Sequence, residues 1–391
     1  AERIDGSAGL ELSGHLPESY KGRDEGRILP VRTRTDMTTS FVGASMDNTF
    51  GLDELRRRVM DRGLCAACGA CVGGCPYITS FKGKTVPLDH CTLDRGRCFS
   101  YCPMTFFDPE QTFKALFSAP YNAGSDIGFF REVAASRAVD SRISSAGQGG
   151  GTVTALLVTA LKEGLIDAAI LTGTVPGEVY PQGFVATTEN EIRSCTGSRF
   201  VGAHSLAALR EALNGGYQRI GVVGVPCQVR SVRKMALHDL KEEGLRERIG
   251  PVVGLFCNWA FSSREFTAFL AERFGVNNAR RFQIPPPPAD TFQVETDQGT
   301  EDIPLDELRP MIQAACHVCP DLTSEFADLS AGMYEGKEGW NTLITRTDAG
   351  VRLVEKAIAR GALELDSFPT ENLDHLKGAS ANKRKRATQA S

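Results

Sequence analysis

The sequence predicts an α/β fold, with a mixed or mostly parallel sheet and covering helices, preceded by a small cysteine-rich domain. Three observations carry this reading. From about residue 130, strand-like runs alternate with helical ones, as in IGVVGV (220–225), the helical stretch 229–246 and PVVGLF (251–256). That is the rhythm of βαβ units. Residues 152–164 (TVTALLVTALKEG) set Val153, Leu156, Leu157, Ala160 and Leu161 on one helical face. Residues 63–110 hold seven cysteines among glycine turns and two Cys-Pro pairs, which suits a loop-rich unit.

The elements follow in order. Residues 1–50 are polar and without sustained periodicity, and read as an extended arm. A short helix is expected over 51–62 (GLDELRRRVMDR), opening a small domain over 51–115. The α/β domain spans 130–370. Within it come the helix at 152–164, a buried strand at Ala168 to Leu171, and a helix at 205–213 ended by Gly215-Gly216. The two strands at 220–225 and 251–256 follow, then a rigid connector at PPPP (285–288) and a strand pair around Gln298-Gly299. A strand at 341–346 and a helix near 348–360 close the domain. Residues 371–391 read as a basic polar tail, whose run Lys383-Arg384-Lys385-Arg386 is solvated or docks on a partner subunit.

Composition excludes several classes. With 44 Lys and Arg against 48 Asp and Glu, the net charge of −4 points to neither nucleic acid nor a lipid surface. No apolar run has the length of a membrane span, and the first residues lack the apolar core of a secretion signal. A cytoplasmic protein without direct membrane insertion is expected. Twelve cysteines in 391 residues fall well below a disulfide scaffold, and their grouping in C-x-x-C pairs favours metal.

CAACGACVGGCP (65–76) has the spacing C-x2-C-x2-C-x3-C-P of a two-cluster ferredoxin, in which the first three cysteines hold one cubane and the fourth the other. Zinc sites rarely use this spacing. Cys65, Cys68 and Cys71 are therefore assigned to one 4Fe-4S cluster and Cys75 to a second. CTLDRGRCFSYCP (91–103) is a degenerate second run, giving Cys102 back to the first cluster and adding Cys91 and Cys98 to Cys75. Asp94 stands near where a further cysteine belongs. It is either a fourth ligand or a turn aspartate beside a three-iron or water-ligated cluster.

The βαβ rhythm explains further cysteines. Cys227 follows one strand through Pro226 and Cys257 directly follows the next. If those strands are parallel, both thiols emerge at the carboxyl edge, where open α/β sheets bind ligands. With Cys316 and Cys319 of CHVCPD they supply four ligands for a third 4Fe-4S cluster. Cys195 is given no role.

SSAGQGGGTVT (144–154) leads into the amphipathic helix, and free amides at a helix start form an anion seat. The register of a dinucleotide fingerprint is broken by Thr152. Clusters pass single electrons whereas hydride donors give two, and a flavin is the usual adaptor. No side-chain acid or base is then required.

Together, CAACGACVGGCP, CTLDRGRCFSYCP, GQGGGTVTALLVTALKEGLIDAAIL, SRFVG, GVPCQVRSVRK, GLFC and CHVCPDLTSEFADLSAG resemble the coenzyme F420 hydrogenase/dehydrogenase beta-subunit family, in family order from about residue 60 to 361. The resemblance implies FAD near the glycine stretch, with Gln148, Gly149, Gly150, Gly151, Thr152, Thr154, Ser198, Arg199 and Gln228 as flavin contacts. It also implies a cluster on the GVPCQ, GLFC and CHVC cysteines, preceded here by a ferredoxin-like iron–sulfur domain. The implied hydride carrier is coenzyme F420 or NAD(P)H. Implied partners are subunits of a hydrogenase, formate dehydrogenase or heterodisulfide-reductase-type complex. The long arm and Asp94 depart from the family pattern. An alternative function is that of wider relatives, a self-contained ferredoxin-linked reductase of an organic substrate.

Overall fold

The computed structural model describes residues 50–390 apart from 118–120, 175–179, 239, 241–243, 276–277, 280 and 286–287. The expected N-terminal arm lies outside the described residues, save Phe50, and so do Pro286 and Pro287 of the connector.

A hairpin of β1 (Ile78–Phe81) and β2 (Lys84–Pro87) belongs to the cysteine-rich segment. Among the described residues, the main sheet has eight strands: β3 (Glu132–Ala138), β4 (Ala168–Gly173), β5 (Gln182–Ala186), β6 (Ile220–Gly224), β7 (Ile249–Leu255), β11 (Leu329–Met333), β12 (Asn341–Thr345) and β13 (Leu363–Asp366). The intervening β8 (Arg281–Gln283), β9 (Thr291–Thr296) and β10 (Gly299–Pro304) form a separate antiparallel sheet, with the expected hairpin turning at Gln298.

The order of the main sheet is β13-β3-β12-β11-β7-β6-β4-β5. Its centre is parallel, with β4, β6, β7 and β11 running together. Both flanks are antiparallel, so the sheet is mixed rather than largely parallel. The flank strand β3 (EVAASRA) and the central strand β11 (LSAGM) carry little sequence signal, because they have alanine, serine and glycine in place of a branched apolar run.

Successive residues of a strand face opposite sides, and the central strands are apolar on both. Ile170, Val222 and Val252 pack on one face with Val229 and Val232 of the crossover helix (Pro226–Leu237). Leu171, Val223 and Val253 pack on the other with Leu156 and Leu157 of the glycine-turn helix (Thr152–Lys162) and Leu353 of the helix Asp348–Ala359. The cysteine-rich segment is not a separate body. Cys68, Tyr101, Phe113 and Phe117 share the first of these cores.

The basic run is also placed differently from the expected tail. Residues Thr370–Ala390 form one helix, and Ser380, Lys383 and Ala387 are buried along one stripe of it. No apolar periodicity announces this, because the inward face is polar and held by hydrogen bonds to backbone carbonyls. Ser380 Oγ donates to Asp126 O, and Arg384 Nη2 donates to Ser125 O at 2.9 Å.

Candidate functional site

The first cysteine set sits in a loop turned by left-handed Ala67 (φ 49°) and Gly69 (φ 87°). The loop docks where Leu206 N–H donates to Cys68 O at 3.0 Å. A Cβ at Gly69 would stand 2.5 Å from His204 O, so this approach requires glycine. Cys65, Cys68, Cys71 and Cys102 line one small cavity, walled by Leu55, Val59 and Pro103. Burial pushes the Cys71 thiol well above its ordinary range, and Cys68, Cys65 and Cys102 push the same way. Cys102 is raised to about 12, by burial first and then by Cys68 and Cys65. Such thiols stay protonated unless a cation offsets their charge, which iron does.

Two neighbours extend this set beyond the cysteine motifs. Lys234 of the crossover helix donates to Cys102 O (2.6 Å), Thr105 Oγ1 (2.7 Å) and Phe106 O (2.8 Å). Burial lowers its pKa to about 8. His204 Nε2 lies 2.9 Å from Thr85 Oγ1, which accepts from Cys65 Sγ at 3.5 Å. Burial lowers His204 to about 4, leaving it neutral.

The second set adjoins the first. Burial raises Cys98 to about 11, with Cys75 and Cys91 as neighbouring thiols, and Cys71 in turn feels Cys98. Asp94 is exposed in the bend between Cys91 and Cys98.

The third set gathers at the sheet edge. Because β6 and β7 are parallel, Cys227 at the start of the crossover helix and Cys257 just past β7 leave the sheet on the same side. Burial raises Cys227 well above its ordinary range, and the thiols that add to it are Cys68, Cys257, Cys319 and Cys316. Cys227 thus adjoins both its own set and the first. Ala260 N–H donates to Cys316 Sγ at 3.3 Å, the kind of backbone contact that favours a thiolate. Lys383 Nζ donates to Cys257 O (2.5 Å) and Asp321 O (2.7 Å).

Among the described residues, no three His, Cys, Asp or Glu side chains gather tightly enough for a single metal ion. The thiols of each set perturb one another, and sets of cysteine thiols are the donor type that iron–sulfur clusters take.

The glycine turn is tightly built. A Cβ at Gly150 (φ 98°) would stand 2.4 Å from Gly339 O, and one at Gly149 would stand 2.6 Å from Asn341 Nδ2. Gly151 caps the helix in the left-handed region, and Asn341 Oδ1 accepts from Thr152 N–H at 3.3 Å. Thr152 Oγ1 pairs with Ser136 Oγ at 2.9 Å. Both polar groups of Thr152 are therefore engaged within the chain. Ser198 Oγ donates to Gln148 Oε1, and Thr154 and Thr196 hydroxyls meet at 3.2 Å. Arg199 Nη1 donates to Thr196 O at 3.4 Å, while its Nε is buried with no acceptor. A buried donor in that state points to a missing partner. Arg281 Nη2 reaches Gly147 O at 3.1 Å, placing a second cation beside the turn.

Gln228, a flavin contact by the resemblance, has its side chain engaged within the chain. Its Oε1 accepts from Val225 N–H (3.0 Å), and its Nε2 donates to Ala203 O (3.2 Å) and Ser205 Oγ (3.0 Å). It caps the crossover helix and pins 203–205 to it.

The turn and the third set are neighbours. Phe261 N–H donates to Phe200 O (2.8 Å), Gly202 N–H to Phe261 O (3.0 Å) and Gln313 N–H to Ala260 O (3.0 Å). The segment after Arg199 therefore lies directly beside the one that contacts Cys316. Lys234, the last residue of GVPCQVRSVRK, carried a signal, since seven residues after Cys227 is about two helical turns on the same face. Lys383 and Arg281 carried none.

Known proteins are similar to this chain. The family models for the coenzyme F420 hydrogenase/dehydrogenase beta subunit match over residues 133–210 (N-term) and 217–371 (C terminus). Coenzyme F420 hydrogenase subunit beta of Methanothermobacter thermautotrophicus is 31% identical over 270 residues, 67% of this chain and 94% of that protein. A subunit of the F(420)H(2) dehydrogenase of Methanosarcina mazei is 27% identical across 81% of this chain and 88% of its own length. The coenzyme F420-dependent sulfite reductase of Methanocaldococcus jannaschii is 28% identical across 82% of this chain and 50% of its own length. Among solved structures, a chain of the F420-reducing NiFe hydrogenase complex from Methanosarcina barkeri superposes with TM-score 0.63 at 29% identity. The match covers 69% of this chain and 94% of that one. On the parallel sheet centre, the cysteines at its edge and these matches, the chain belongs to the coenzyme F420 hydrogenase/dehydrogenase beta-subunit family.

Proposed function

We propose that this chain is an F420-linked oxidoreductase subunit that holds FAD at the glycine turn and three iron–sulfur clusters on its cysteine sets. One observation carries the reading: the sets adjoin in a fixed order. The third meets the first through Cys227 and Cys68, and the first meets the second through Cys71 and Cys98. When bound, a flavin takes up hydride and releases electrons singly, and clusters carry them one at a time.

The chain's own residues have distinct parts in this. Arg199, with its unpartnered Nε, and Arg281 supply cations for an anionic group at the turn. Gln148, Ser198 and Thr154 line its approach, whereas Gly149, Gly150, Gly151, Thr152 and Gln228 fix the backbone around it. Cys227, Cys257, Cys316 and Cys319 hold the cluster nearest the turn. Cys65, Cys68, Cys71 and Cys102 hold the next, and Cys75, Cys91 and Cys98, with or without Asp94, hold the outermost.

The names of the relatives favour coenzyme F420 over NAD(P)H as hydride carrier. They also favour work inside a complex, with a hydrogenase, dehydrogenase or reductase subunit at the far end of the relay. The test is anaerobic purification followed by separate titration with reduced coenzyme F420 and NADH. Bleaching of a bound flavin by reduced F420 is expected. A protein without extractable FAD, or one bleached by neither donor, overturns the proposal.

A further inference from the structure

Lys383 is the cation that the C-terminal helix turns into the third cysteine set. It is 3% exposed, and its ammonium is fixed by two backbone carbonyls, those of Cys257 and Asp321. The helix that delivers it is anchored on either side. Ser380 and Arg384 bind the carbonyls of Asp126 and Ser125, Arg384 pairs with Glu325, and Arg386 Nη2 donates to Asn258 Oδ1 at 2.6 Å. The helix spans 370–390, whereas the family match ends at 371.

We infer that Lys383 is a tuning residue: its buried ammonium raises the reduction potential of the cluster held by Cys227, Cys257, Cys316 and Cys319. This rests on the cluster assignment above. The reason is electrostatic. Taking up an electron makes a thiolate-ligated cube more negative, and a fixed cation in a poorly polarisable surround favours that form more than the oxidised one. The first set has a lysine placed in the same way, Lys234, which donates to Cys102 O at 2.6 Å.

The test uses the full chain, purified anaerobically and poised with redox dyes, with EPR as the readout. The wave belonging to the third set is the one that Cys316→Ala abolishes. Lys383→Gln removes the charge and keeps a donor. It is expected to move that wave alone to lower potential by about tenfold in the one-electron equilibrium, which is about 59 mV. Lys383→Arg restores the charge and should return it. A K383Q protein that keeps the cluster with a shift below about threefold, or a shift upward, overturns the inference. Should K383Q fail to hold the cluster, K383R decides. A cluster held near the wild-type potential sustains the inference, and one lost or displaced overturns it. A wild-type chain without any reducible iron signal is a different result, and it removes the cluster assignment itself.

Discussion

The first cysteine set is a local object, with three of its four thiols inside one loop (65–71) that is shaped by Ala67 and Gly69. The third is assembled from the ends of β6 and β7 and from Cys316 and Cys319, with a lysine from the far end of the chain laid over it. Both arrive at buried thiols raised above their ordinary range and at a lysine donating to a cysteine carbonyl. The local set depends on the conformation of a few residues. The dispersed set depends on the sheet being correct, so its thiols gather only where β6 and β7 are properly paired.

The largest effect that could break this comparison is expected from Cys227→Ser. Iron analysis should show one cluster's worth lost, and a flavin reduced by donor should no longer pass electrons to the remaining clusters. Unchanged iron and unchanged electron flow would remove Cys227 from the third set. Next comes Gly69→Ala, which forces a Cβ into the left-handed region against His204 O and should cost about 1–3 kcal/mol. Urea titration with iron release as the signal should show the first set failing before the third. Simultaneous failure would mean that the local loop is no more independent than the edge site.

Lys234→Met leaves three acceptors near the first set without their donor. A loss of about 2 kcal/mol in denaturation midpoint terms is expected, together with a lower potential for the first cluster and an unmoved one for the third. A shift in both waves would show that the two sets share one field. The smallest effect is expected from Asp94→Ala, since that carboxylate is exposed in its bend. Iron content and EPR of the second set should stay as they are, and a lost signal would restore Asp94 as the fourth ligand.

Local motifs are legible to the degree that their chemistry is contiguous. CAACGACVGGCP announces its loop and its neighbours in one line, and the strand exits of Cys227 and Cys257 follow from two short apolar runs and a crossover. The central strands β4, β6 and β7 are readable for the same reason: they are buried on both faces and mainly apolar. The strands β3 and β11 are not, because small residues serve wherever a strand is crowded. A Cβ at Gly332 in β11 would stand 2.0 Å from the Phe256 ring. Gln228 enters through the resemblance alone, and its role as a helix cap follows from its position three residues past Val225. The C-terminal helix is invisible to hydrophobic patterning, since Ser380, Lys383 and Arg384 meet carbonyls instead of apolar side chains. That kind of face has no linear signature.

The crossover helix carries Cys227 at its second residue and Lys234 seven residues later, so one rigid rod serves both sets. At about 1.5 Å per residue, it fixes a separation of about 10 Å along its axis. Redox sites joined by loops would breathe with thermal motion, and the rate of transfer between them would breathe as well. A hydrogen-bonded rod works instead as a spacer gauge. Adding a single residue between Cys227 and Lys234 would lengthen the gap by about 1.5 Å and rotate the lysine about 100° from its carbonyls. With the clusters held as proposed, the length of this helix is itself a functional quantity.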